Sequence, residues 1–188
     1  MLKIRKTASN TIRKLHRINH LLPIELKIQL YNALVVPHFD YADVIWGGCS
    51  IEMSRKLQIT QNFSIKSITG AKKYDHVTES FEKLKFLNLK QRRNIHEVVF
   101  AHKSLLGNHP NEICQMFLQQ CPTSNTRGSH AALLNIPTHK TQKYQNCPFY
   151  RSIKSWNDVP ENISTGAKTK LFKKEYQRHL INATFPKN

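Results

Sequence analysis

The chain has 188 residues, with 29 Lys+Arg against 12 Asp+Glu and a formal net charge of +17. That length suits one domain, or one with a small appendage, and it can bury a real core. At 39% hydrophobic residues the chain is too apolar for a disordered tail. Its excess charge points to polyanions, nucleic acid first and an anionic membrane surface second.

Ile4, Ala8, Ile12, Leu15 and Leu22 recur at the three- and four-residue steps of an amphipathic helix over residues 2–21. Lys3, Lys6, Arg13 and Arg17 fall on another face of it. Pro23 is placed to open a second helix, whose Leu26, Leu30, Leu34, Ile28, Tyr31 and Val35 make a face broad enough for burial. Pro37 ends or kinks that helix. The aromatic-rich stretch to Trp46 reads as core, with Tyr41 and Trp46 assigned to packing. Ser50 is a cap for a helix running to Thr69, with Leu57, Gln61, Ile65 and Ile68 on one side and Gly70 as its C′ residue.

A short helix is expected around Glu79–Phe86 and a longer one from Lys90 to Leu106, stopped by Gly107. His102 on the apolar face of the latter reads as a packed core histidine. Asn111 starts a helix to Gln120. Residues 122–150 lack a helical period and read as loops with short strands, such as Ala131–Ile136 and Pro148–Ile153. A tight turn at Trp156–Pro160 and a last helix from Lys168 to Ile181 complete the chain. The expected fold is therefore mainly α: a helical bundle over residues 1–120, then a basic extension over 121–188 with an irregular segment, short strands and a terminal helix.

Charge is concentrated in three acid-poor segments. No carboxylate precedes Glu25, and the first segment carries Lys3, Arg5, Lys6, Arg13, Lys14 and Arg17. None lies between Glu112 and Asp158, where Arg127, Lys140, Lys143, Arg151 and Lys154 alternate with Tyr144, Phe149, Tyr150 and Trp156. Lys168, Lys170, Lys173, Lys174 and Arg178 form the third, opposed only by Glu175. Basic segments interleaved with aromatics suit phosphate contact and base stacking; the bland reading is a solvated lysine-rich surface.

Cys49, Cys114, Cys121 and Cys147 include no CxxC pair, which argues against both a disulfide scaffold and a structural zinc site. No phosphate-binding glycine motif is present. Tyr41-Ala42-Asp43-Val44 superficially resembles the aromatic-x-Asp-Asp signature of reverse transcriptases, but Val44 stands where the second Asp belongs. Two-metal phosphoryl transfer needs converging carboxylates, so no polymerase centre, metal or cofactor is expected in these residues. Asp40 and Asp43 are expected to cap a helix or pair with a base. The amino-terminal residues lack a long apolar run, and Ala33–Val36 is far short of the about 20 residues of a membrane span. An intracellular chain, cytoplasmic or nuclear, is expected.

One ordered set of landmarks carries a resemblance: Leu22-Pro23; Leu30 to Pro37; Asp40-Tyr41; Trp46-Gly47; Leu57 to Asn62; Ile68 to Ala71; Leu84 to Leu89 with Arg92-Arg93; Thr126-Arg127-Gly128; Phe149-Tyr150-Arg151; Ser155 to Glu161; and Phe172-Lys173-Lys174 with His179-Leu180. In this order and spacing they resemble the region after the palm in non-LTR (LINE-type, jockey-like) retrotransposon reverse transcriptases. Val159 stands where that family's "WNxLP" element has leucine. The resemblance implies a thumb and C-terminal extension, with fingers, palm and endonuclease lying before residue 1.

The resemblance further implies a non-catalytic part of an RNA-directed DNA polymerase, holding RNA or an RNA/DNA template–primer without sequence preference. Lys3, Lys6, Arg13, Lys14 and Arg17 are the first candidates for duplex contact. Arg127, Lys140, Lys143, Arg151 and Lys154 are the second, for RNA outside the duplex. Tyr150 and Trp156 are candidates for base stacking, with Trp156 favoured instead as the anchor of its turn. The competing expectation is a domesticated or decayed protein-interaction or structural module, associating with a palm or with itself through exposed apolar surface.

Overall fold

The computed structural model describes residues 2–72, 74–121, 133–160, 163 and 168–186. Their structure is helical, and no strand occurs among the described residues. They group into two compact units along the chain. The first takes residues up to Asp43 together with Cys49–Arg92, and the second takes Val44–Gly48 and Arg93–Pro186.

In the first unit, α1 (Leu2–Arg17) ends in a 3-10 turn at Asn19–Leu21. Pro23 is the N-cap of α2 (Ile24–Leu34), and the chain re-enters a short α3 (Val36–Asp40) with Pro37 in its first turn, where a missing N–H costs nothing. A four-residue α4 (Asp43–Trp46) comes next in the chain, and its residues from Val44 on are counted with the second unit. The long α5 (Ile51–Thr69) is bounded as its sequence dictates. The Ser50 hydroxyl accepts from Met53 N, and Gly70 closes the helix at φ 72. A shorter α6 (Val77–Leu84) ends in a left-handed Lys85 at φ 50. Helix α1 packs on α2, α3 and α5, and α5 also packs on α2 and α6. Ala8, Ile12, Tyr31, Val35, Phe39, Leu57, Ile65 and Ile68 fill the space between them.

Glutamines stitch this unit. Leu89 N donates to Gln58 Oε1 at 3.0 Å, Gln58 Nε2 donates to Gln61 Oε1 at 2.8 Å, and Gln61 Nε2 donates to Leu87 O at 3.1 Å. The Leu87 carbonyl, outside any helix, and the Leu89 N–H, at the start of the next helix, thus find their partners. Two sequence expectations need correction here. Leu26 and Leu34 are 38% and 45% exposed, so α2 is covered on the Tyr31–Val35 side only. Tyr41 is 78% exposed. It follows the buried α3 face of Val36 and Phe39 as an extended cap, and Ala42 then turns the chain at φ 52.

Helix α7 (Leu89–Leu105) begins in the first unit and continues through the second. The second unit further holds α8 (Asn111–Leu118), α9 (Gln142–Gln145), α10 (Pro148–Asn157) and α11 (Thr169–Thr184). Its core centres on His102, 1% exposed, which stacks on Phe172 with centroids 4.1 Å apart and rings 5° from parallel. Trp156 packs against both rings, as an anchor and not as a surface for bases. Tyr176 donates to Asn94 Oδ1 at 2.6 Å. Asn157 forms paired bonds with Leu134 N and O, the kind of satisfaction a strand neighbour would supply.

The strand expected at Pro148–Ile153 is instead the start of α10. Pro148 occupies its first turn, the Cys147 sulfur accepts from Tyr150 N, and Ile153 and Trp156 reach the core at helical spacing. Of Ala131–Ile136, residues 133–136 form no strand, and 131–132 lie outside the described residues.

Candidate nucleic-acid interface

Helix α1 buries Ala8 and Ile12 and half-buries Ile4 and Leu15 against its neighbours. At about 100° per residue, this stripe occupies one side of the helix. Lys3, Lys6, Arg13, Lys14 and Arg17 fall within an arc of about 100° on the opposite side. All five are exposed. From Lys3 to Arg17 the row is about 21 Å long, at about 1.5 Å rise per residue.

Among the described residues no carboxylate forms an ion pair with any of the five. The first turn of α1 contains no acidic residue. Lys3 and Lys6 therefore sit near the positive end of the helix dipole, where cations are unfavourable. The row is a ridge of uncompensated charge held in register by a packed helix. Such a ridge can neutralise backbone phosphates without reading bases.

In the second unit, Lys140, Lys143 and Lys154 are exposed on or beside α9 and α10. Arg127 lies outside the described residues, as do Thr126 and Gly128. Arg151 is different. Its Nε donates to Glu97 Oε1 at 2.9 Å, its Nη1 to Asn146 O at 2.7 Å, and its Nη2 to Val44 O. The fork is directed into the unit. Tyr150 meets His139 and Tyr144 edge-on and is half-buried.

A further row was visible in the sequence as composition only. On α11, Lys170, Lys174 and Arg178 recur every four residues with Lys173 beside them, all exposed, while Phe172 and Tyr176 are buried. The i, i+4 spacing was the signal that separates this ridge from a scattered cluster.

Asp40 is engaged within the first unit. Arg92 grips Asp40 through two bonds, Nε to Oδ1 at 3.1 Å and Nη2 to Oδ2 at 2.5 Å. Burial alone would pull the Arg92 pKa down, but the hydrogen bond and charge of Asp40 outweigh it and raise it. Nearby, burial pushes the Tyr31 phenol up to about 12. Asp43 is 3% exposed. Asp40 thus pairs with a base, as its sequence context indicated. No helix among the described residues is long and apolar enough to cross a membrane. No protein-family model, curated protein or solved structure matches the chain.

Proposed function

We propose that these residues hold nucleic acid by its backbone, as the non-catalytic thumb and C-terminal extension of a retrotransposon-type reverse transcriptase, with an RNA duplex or RNA/DNA template–primer as the partner. The observation that carries this reading is the α1 ridge. Five exposed cations share one side of a packed helix, without ion-pair partners among the described residues, and two of them, Lys3 and Lys6, stand against the helix dipole. The ordered landmarks of the resemblance agree with it. So does the pairing of Asp40 with Arg92, which gives that carboxylate a structural role.

The test is a salt titration of the full chain on an RNA–DNA hybrid. With three to five phosphates neutralised, log Kobs against log[salt] has a slope of about −3 to −5, and unrelated hybrid sequences bind alike. Binding that is absent at low salt, or that ignores salt, overturns the proposal.

A second reading, a protein-interaction module, is favoured by the uncovered side of α2, where Leu26 and Leu34 lie eight residues apart with Ala33 exposed between them. Sedimentation at rising concentration separates the two: self-association with no hybrid binding selects the module.

A further inference from the structure

Phe63 projects from the outer side of α5 and is 46% exposed. It is not a stray apolar residue. The His16 ring of α1 lies against it, with centroids 5.5 Å apart and planes at 53°. His16 is fixed in that place, because its Nδ1 is 2.9 Å from Ser67 Oγ. A second strut comes from Asn19, whose Nδ2 donates to Ser67 O at 2.8 Å. Ser67 is one turn beyond Phe63 on the same row of α5. One turn before Phe63 is Ile59, 55% exposed, and one turn before that is the exposed Arg55. The row thus offers a cation, an aliphatic surface, a ring and a hydroxyl strut at i, i+4, i+8 and i+12.

The platform borders the α1 ridge. Arg13 and Arg17 lie one turn before and one residue after His16, and both are exposed. A ring pair with one open side, flanked by cations, is the arrangement that accepts a base while phosphates are neutralised beside it. A duplex hides its base faces in its own stack, so the ligand must be unpaired.

Resting on the backbone-binding reading above, we propose that His16 and Phe63 form a stacking platform for one unpaired base of a single-stranded RNA or DNA segment, with Arg13 and Arg17 on its phosphates. The ridge holds paired nucleic acid by charge, and the platform holds a strand where pairing ends. Any of the four bases fits, because each offers a π-face.

Fluorescence anisotropy of the full chain with a labelled single-stranded RNA and a labelled blunt RNA–DNA hybrid tests this. Phe63→Ala is expected to weaken the single strand roughly 5- to 150-fold. The hybrid should change less than about 2-fold, and the single-strand salt slope should hold, since that slope reports the phosphates neutralised. Phe63→Leu keeps apolar bulk and guards against misfolding; it should behave like Phe63→Ala, while Phe63→Trp restores binding. Hybrid binding with no single-strand binding, or single-strand affinity untouched in Phe63→Leu, overturns the platform and leaves the ridge standing. Single-strand binding without hybrid binding supports the platform and overturns the duplex reading. No binding of either nucleic acid at low salt overturns both.

Discussion

Arg151 and Glu97 are joined by a 2.9 Å bond from Nε to Oε1, and Ser155 Oγ donates to the other carboxylate oxygen, also at 2.9 Å. The same guanidinium donates to the carbonyls of Asn146 and Val44. Gly48 belongs to this arrangement, because a Cβ there would run into Asn146 O and the Arg151 guanidinium. One cation therefore ties α7, α10 and the Val44–Gly48 segment of the second unit.

Arg151→Lys keeps the charge but loses the fork that reaches three acceptors. It should destabilise the second unit by about 2–3 kcal/mol, since Glu97 is left buried with one partner fewer. Gly48→Ala should have a similar sign and cost about 1–3 kcal/mol by overpacking. Urea unfolding followed by tryptophan fluorescence measures both. Nucleic-acid affinity at a temperature where the protein is folded should stay within about 2-fold for Arg151→Lys, because a side chain turned inward neutralises no phosphate.

Arg151 also shows what the sequence could and could not convey. Its setting among aromatics and away from acids reads as an open basic segment. The acid that captures it is 54 residues earlier, on α7. Local patterns carried local features well: the Ser50 cap, the Gly70 stop and the α1 stripe are all set by residues within a turn or two of one another. Pro148–Ile153 reads as a strand because Phe149, Tyr150 and Ile153 favour one, yet Pro148 and the Cys147 cap start a helix that the core then holds. Exposure of Tyr41, Leu26 and Leu34 is set by which neighbours arrive, and apolarity alone does not encode that.

Tyr31 gives a pH test. Its phenol is 3% exposed, its oxygen has no hydrogen-bond partner of normal geometry, and burial first, with the charge of Asp40, raises its pKa to about 12. The unfolded chain loses that proton near pH 10. Stability from the neutral phenol is thus complete below about pH 10 and falls as pH rises toward 12. Tyr31→Phe removes this titration. In urea unfolding at pH 8 the variant should match or slightly exceed wild type. By pH 11.5 it should exceed wild type by about 1–2 kcal/mol more than it does at pH 8. An unchanged difference between the two pH values would refute the assignment.

Two left-handed residues make an opposed pair. Gly70 caps α5 at φ 72, and Lys85 caps α6 at φ 50 with its side chain exposed. A β-carbon is disfavoured in this region by about 1 kcal/mol or more. Gly70→Ala should therefore cost about 1 kcal/mol, although no atom stands within 4 Å of the new methyl. Lys85→Gly should gain about 0.5–1 kcal/mol by relieving the same strain. Thermal unfolding of both variants reads the signs directly.

The α1 ridge can be tested by asking stability and binding to move in opposite directions. Lys3 and Lys6 lie close to the amino end of α1, where the helix dipole opposes a cation and favours an anion by about 0.3–1 kcal/mol each. If these lysines served the fold, replacing them with glutamate would cost stability. The structure offers them no acidic partner among the described residues, so Lys3→Glu and Lys6→Glu should instead raise the stability of the first unit slightly. The same changes place two anions on a surface meant for phosphate. Hybrid affinity should fall at least 10-fold at low salt, and the salt slope should shrink by about 0.9 for each phosphate left without its cation. Charge-neutral Lys3→Gln and Lys6→Gln should give the slope change without the added repulsion. A variant that is more stable and yet binds less is the expected signature of charge kept for a ligand, while parallel losses of stability and affinity would assign these lysines to the fold.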